Sequence, residues 1–176
     1  MKILVINPGG TSTKIAVFED EEELFKENIT HTGEDLKGFP HVFDQFGYRK
    51  DIILETLKKA GFEIRTFAAV AGRGGLMNPI PGGTYTVNSR MVEDLRGAIH
   101  GEHPSNLGAV LAKEIGDEIG ASSFVVDPVS VDELMPKARI SGISDLERPS
   151  WFHALNHKAV ARWAAERIGK KYEDCN

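Results

Sequence analysis

Four groups of residues in this sequence have types and spacings that could do chemistry. The first is the run Asn7-Pro8-Gly9-Gly10-Thr11-Ser12-Thr13-Lys14. A turn built from glycine and small hydroxyl residues lets backbone N–H groups gather round an anion, because no side chain bars the approach. Thr11, Ser12 and Thr13 add hydroxyl donors and Lys14 adds charge, which makes phosphate the natural guest. A plain tight hairpin would account for Gly9 and Gly10 equally well. A P-loop would not, since the four-residue gap before Gly-Lys is missing and no helical pattern follows. The second group is Arg73 between Gly72 and the pair Gly74-Gly75. A guanidinium there could grip a carboxylate or an acyl phosphate with two parallel hydrogen bonds, and the flanking glycines would let a ligand come close. Otherwise Arg73 is one half of a surface ion pair. The third is Asp127, which ends the apolar run SFVVD. Ligands bind beyond the carboxyl ends of parallel strands, but an Asp before Pro128 also suits a turn or a helix cap. The fourth is His153 with His157, four apart on one helical face. No Glu lies between them and no third ligand is suggested by spacing, so a zinc pair is not expected.

These residues need a scaffold, and the hydrophobic pattern predicts one. Ile3 to Ile6 reads as a strand buried on both faces, Ile15 to Phe18 as its hairpin partner, and EELFKENITHT as a solvated third strand. From Thr32 to Tyr48 the chain reads as loop with at most a short helix. A helix is predicted from Arg49 to Gly61, a strand at Phe67 to Val70, another strand in GGTYTVN, and a helix capped by Ser89. Ser105 opens a longer helix ending at Gly120, and SFVVD follows as a buried strand. After a polar loop, a last helix runs from about Trp151 to Ile168 with Leu155, Ala159, Trp163 and Arg167 along one stripe. Hairpin strands followed by alternating strand and helix predict an α/β fold. Its mixed five-stranded sheet has antiparallel first strands, parallel later ones and flanking helices.

The 176 residues suit one domain. A net charge of -5 with no long basic run argues against nucleic acid as a partner and favours small molecules. The one cysteine, Cys175, leaves no disulfide to form within the chain, and no apolar run approaches a signal core or a membrane helix. A cytoplasmic protein with no membrane partner is the expectation.

The stretch NPGGTSTKIAVFED resembles the first phosphate motif of the actin, sugar-kinase and heat-shock-chaperone superfamily, whose fold is ribonuclease-H-like. An Asn at position 7, where most members have Asp, is similar to the acetokinase branch, which phosphorylates carboxylic acids. Three further stretches, GRGGLMNPIPGGTYTVN, VVDPVSVDELMPKARISG and FHALNHKAVAR, extend the likeness. Together they resemble butyrate kinase and branched-chain fatty acid kinase over essentially the whole chain. Acetate kinases proper are less similar around Arg73 and around His153 to His157. The resemblance implies in-line phosphoryl transfer from ATP to a short or branched fatty acid such as butyrate or isobutyrate, with Mg²⁺ as cofactor and acyl phosphate and ADP as products. The alternatives are an acetate or propionate kinase, or a non-catalytic nucleotide switch of the same fold.

Carried onto these positions, the resemblance implies that Arg73 holds the acid, Asp127 and Asn7 organise the metal, and His153 donates a hydrogen bond to the phosphoryl group in transit. The loop of Asn7, Gly9, Gly10, Thr11, Ser12 and Lys14 would hold phosphate oxygens. Leu76 and Phe152 are candidates for the acyl pocket, though each is as readily plain core, and His103 is a candidate substrate-side histidine. Family members have two similarly folded domains, and this chain stops at KKYEDCN, where the second Gly-rich motif would begin. Residues 1–176 are therefore expected to be an N-terminal domain, inactive alone, with the nucleotide-binding domain absent from this chain. Homo-oligomers, common in the family, are expected too.

Overall fold

The computed structural model describes residues 1–175. Strand β1 (Lys2–Pro8) turns back into β2 (Ser12–Glu19), and β2 into β3 (Glu22–Thr30), all antiparallel. A single helical turn, α1 (Gly33–Leu36), and a short 3-10 turn lead to α2 (Phe46–Lys59). The chain then enters β4 (Ala69–Arg73), parallel to β1. Next come β5 (Thr84–Thr86), α3 (Ser89–Arg96), α4 (Asn106–Ile119) and β6 (Ser122–Val126), which is parallel to β4. A two-stranded hairpin, β7 (Ile140–Ile143) with β8 (Leu146–Glu147), precedes the last helix, α5 (Ala154–Arg167).

The main sheet runs β3-β2-β1-β4-β6-β5. Its first five members form the expected mixed sheet. A sixth extends it: β5, only three residues long, pairs antiparallel with β6 at the edge. One face is closed. Leu4, Ile6, Ile15, Val17 and Val70 pack there against Ile53 and Leu57 of α2 and Leu107, Leu111 and Ile115 of α4, all at most 1% exposed. The alternate residues Val5, Ala71 and Val126 remain half-exposed on the opposite face.

Helix α4 lies on the sheet at backbone distance. A Cβ on Gly72 would sit 2.1 Å from the Gly108 carbonyl oxygen, and one on Gly108 would sit 2.1 Å from that of Arg73. Two glycines thus let a helix and a strand touch main chain to main chain. Gly120, at φ 74°, ends α4 as its sequence predicts, with the Ala121 N–H returning to the Gly116 carbonyl at 2.8 Å.

Several boundaries differ from the sequence reading. Helix α2 starts three residues before Arg49, because the 3-10 turn at Val42–Gln45 feeds straight into it. Strand β4 begins two residues later than predicted and runs through Gly72 to Arg73. Asn88, not Ser89, caps α3, its Oδ1 accepting from Met91 N at 2.8 Å. The stripe on α5 is not a core stripe. Of that helix only Ala154 and Ala165 are buried, while Trp163 is 54% exposed with the Arg167 guanidinium 3.8 Å above its ring. Periodicity says which side chains share a side, not that a neighbour covers it.

Candidate active site

The register of the three central strands brings the polar residues together. Ile6 of β1 pairs with Gly72 of β4, so the next residues, Asn7 and Arg73, stand level, and Arg73 is opposite Val126 of β6. Asn7 and Arg73 share the half-open face by alternation. Asp127 follows one residue after β6 in a left-handed conformation (φ 50°), which turns the chain at the strand end. A cleft of about 460 Å³ opens there, lined by Val5, Asn7, Ala71, Arg73, Asp127 and Asn156 among others. Of equal volume is a cavity inside the β7–β8 hairpin, away from these groups.

His153, at the start of α5, joins the cluster. Its Nδ1 lies 2.7 Å from the Asp127 carbonyl oxygen, a contact that requires the proton on Nδ1. The same nitrogen therefore cannot also accept from Arg73 Nε at 3.3 Å, and that approach is a contact rather than a hydrogen bond. Burial holds the His153 pKa below its ordinary value. The Asp127 carbonyl pulls it upward, Arg73 pulls it down, the Asp127 carboxylate raises it again, and His103 lowers it. Asp127 Oδ1 accepts the Leu155 N–H at 3.0 Å and so caps α5 from another element, while Oδ2 is 3.3 Å from His153. The turn and cap roles that its sequence allowed are both filled, with the carboxylate still at the cleft.

Arg73 is left almost uncommitted. Its one polar partner is Asn7 Oδ1 at 3.4 Å from Nη1, and among the described residues no Asp or Glu forms an ion pair with it. The flanking glycines have a different use from the one expected. Added Cβ atoms at Gly72, Gly74 and Gly75 would meet Gly108, Pro128 and Asn106 within 2.1 to 2.5 Å. These glycines seat the strand on α4 and on the turn after β6; they are packing glycines.

The Gly9–Ser12 turn continues from Asn7 beyond the same end of the sheet. Lys14, paired with Asn7 across β1 and β2, shares its face, and its Nζ is 3.5 Å from Ser12 Oγ. Neither Gly9 nor Gly10 has a positive φ, and a Cβ on Gly10 would meet nothing within 4 Å. Turn geometry therefore does not demand glycine at position 10. Thr13 is fully buried behind the turn, where its Oγ1 meets His31 Nε2 at 2.8 Å and Arg49 Nη1 at 2.8 Å. His31 Nδ1 is 3.1 Å from the Tyr48 hydroxyl.

Burial and then the nearby Arg49 charge push the His31 pKa below its ordinary 6.5, against a smaller upward pull from Asp35. The unfolded chain therefore binds this proton before the folded one does. This part of the stability is present above pH about 6.5 and is lost as pH falls toward the lowered folded value. Urea unfolding between pH about 7.5 and about 5.5 is expected to show a steeper loss for the parent than for His31→Gln; equal slopes would refute it.

Other expected site residues lie apart from the cleft lining. Leu76 is half-buried with its N–H held by Asn106 Oδ1 at 2.9 Å, and Phe152 is 39% exposed with its ring edge-on to His157. His103 is exposed, and its Nδ1 accepts from both the N–H and the hydroxyl of Ser105, which puts the proton on Nε2. Asn156, which does line the cleft, escaped the sequence reading; its place three residues after His153, on the same helical side, was the available signal. Among the described residues no three His, Cys, Asp or Glu side chains gather as a metal cluster, and no helix is long and apolar enough to cross a membrane.

No family model matches the chain. It is 53% identical to a probable butyrate kinase of Clostridium botulinum and 51% identical to butyrate kinase 1 of Clostridium acetobutylicum, in both cases over 99% of its own length and 49% of theirs. The match falls on the N-terminal half of those proteins. The chain thus spans about half the length of the curated relatives it matches. Its fold is that of an acetate kinase of Porphyromonas gingivalis (TM-score 0.62, 15% identity, 97% of this chain and 50% of the other). A propionate kinase of Francisella tularensis shares it too (TM-score 0.58, 16% identity, 96% and 49%).

Proposed function

We propose that this chain, built like the first half of the butyrate kinases, is the acid-gripping half of a carboxylate kinase that phosphorylates butyrate or a similar short or branched fatty acid. One acid oxygen attacks the terminal phosphorus of ATP, the bond from that phosphorus to the bridging oxygen breaks, and acyl phosphate and ADP leave. No general base is needed, since the acid is already ionised at neutral pH. The observation that carries this reading is Arg73, a guanidinium without a carboxylate partner among the described residues, standing at the carboxyl ends of parallel strands above the apolar floor of Val5, Ala71 and Val126.

In this reading Arg73 clamps the acid, and the Gly9–Ser12 turn with Lys14 receives phosphate oxygens. His153, whose Nδ1–H is spent on the Asp127 carbonyl, can donate to the moving phosphoryl only through Nε2, once the incoming phosphate charge has raised its lowered pKa enough to add the second proton. Asn156 joins them as a polar wall. Mg²⁺ suits the donors present, because that ion needs only one or two carboxylates besides phosphate oxygens and water. Asp127 would hold it through Oδ2, with Asn7 binding a metal-held water. The ion supplies charge neutralisation in the transition state. Leu76, Phe152 and His103 would take up substrate contacts only if the segments carrying them close over the cleft. The nucleotide would be shared with a second domain, and a cytoplasmic homo-oligomer is the proposed form.

The test is acyl phosphate formation by the full-length protein from ATP with acetate, butyrate and isobutyrate. Since each methylene in an apolar pocket is worth roughly 1–3 kcal/mol, kcat/KM for the preferred four-carbon acid should exceed that for acetate by about tenfold or more. Acetate as the best substrate would make this an acetate kinase instead, and no turnover with any acid would leave a non-catalytic nucleotide switch.

A further inference from the structure

Among the described residues the one large charged side chain in the core is Arg49, and nothing in the proposed reaction uses it. It is 0% exposed. Its guanidinium donates to Gln45 Oε1 from Nε at 3.0 Å and from Nη2 at 2.8 Å, and to Thr13 Oγ1 at 2.8 Å. It also donates to the carbonyls of Ser12 at 3.4 Å and Gly10 at 3.3 Å. All of these acceptors are neutral. Among the described residues no carboxylate forms an ion pair with it. A buried guanidinium normally carries a counter-charge, since an uncompensated one is costly. Here the side of the network away from Arg49 is the open turn at Gly10 and Thr11, both exposed.

We infer that Arg49 is a positioning residue for anion binding, whose counter-charge is the phosphate that the Gly9–Ser12 turn receives. Two effects act together. Drawing the Gly10 carbonyl inward turns the other end of the same trans peptide, the Thr11 N–H, outward to the open side. The buried charge behind the turn also adds a positive field that water screens poorly. Thr13, which bonds both Arg49 and His31, ties this support to the residue just after β3, where the His31 N–H holds the Thr11 carbonyl at 2.8 Å. The inference rests on the phosphate-binding reading of the turn, and it adds where the field for that phosphate originates.

The decisive variant is Gln45→Glu in the full-length protein. It keeps both oxygen contacts to Arg49 but places a carboxylate beside the guanidinium, cancelling its field without removing its bonds. Inorganic phosphate binding, followed by phosphorus NMR titration, should weaken by roughly tenfold while thermal stability holds or rises. Arg49→Met should weaken it at least as much, and Arg49→Lys should restore part of the loss. In parallel assays KM for ATP should rise with the phosphate dissociation constant, while KM for the acid stays within about twofold. Unchanged phosphate affinity in a folded Gln45→Glu protein would overturn the proposal, leaving Arg49 a structural clasp. So would a parent protein that binds no phosphate. A parent that binds phosphate yet makes no acyl phosphate would defeat the kinase reading and leave the role of Arg49 standing.

Discussion

Arg73→Ala in the full-length protein is expected to lower kcat/KM for butyrate by about a thousandfold. Removing one partner of a buried, hydrogen-bonded charge pair costs on the order of 2–5 kcal/mol, and roughly 1.4 kcal/mol is a factor of ten. The size of the effect follows from what Arg73 does without a ligand. It has Asn7 at 3.4 Å and no carboxylate partner among the described residues, so little must be broken before it can take one from the substrate. For the same reason the variant should fold normally, and its thermal midpoint is the control. Arg73→Lys keeps the charge and loses the planar fork, and is expected to recover only part of the activity. A well-folded Arg73→Ala protein retaining more than about a tenth of parental kcat/KM for butyrate would remove this residue from the acid site.

The largest effect on stability is expected at Gly108. A methyl group there would lie 2.1 Å from the Arg73 carbonyl oxygen, and neither partner is a side chain that can rotate away. Overpacking of well-packed cores costs typically about 1–3 kcal/mol, and a clash of backbone with backbone belongs at or beyond the upper end. Gly108→Ala should therefore unfold at distinctly lower denaturant, or fail to accumulate folded. Gly72→Ala, which meets the same contact from the strand side, should behave likewise. Gly10→Ala, where a Cβ meets nothing within 4 Å, is the stability-neutral comparison. Near-parental unfolding of Gly108→Ala would mean that α4 can lift from β4, and would overturn the account of that contact.

How much of this could be read beforehand depends on whether the deciding interaction is local. The β1–β2 turn, α4 and its glycine stop were legible because period, punctuation and capping act within a few residues. The placing of Asn7 and Asp127 at strand ends was legible for the same reason, whereas Arg73 ends β4 three residues beyond the predicted strand. The packing role of the glycines beside Arg73 was not legible, since what demands them is a helix and a turn more than thirty residues away. Asn156 carried only its spacing from His153, which without the packing of α5 does not say what that side faces, and Arg49 was hidden by burial that a helical pattern does not report. The α5 stripe shows the converse, a clear pattern whose Ala159, Trp163 and Arg167 stay exposed among the described residues.

Strand order also sets a sequence of events. The β1–β2–β3 meander closes over short turns and can form early, whereas β1 meets β4 only by closing a loop that puts Asn7 beside Arg73 across 66 positions. A folding intermediate holding only the meander would carry the glycine turn and none of the acid-binding corner. Competence to bind the acid should thus be acquired in the slowest refolding phase, along with the last long-range pairing.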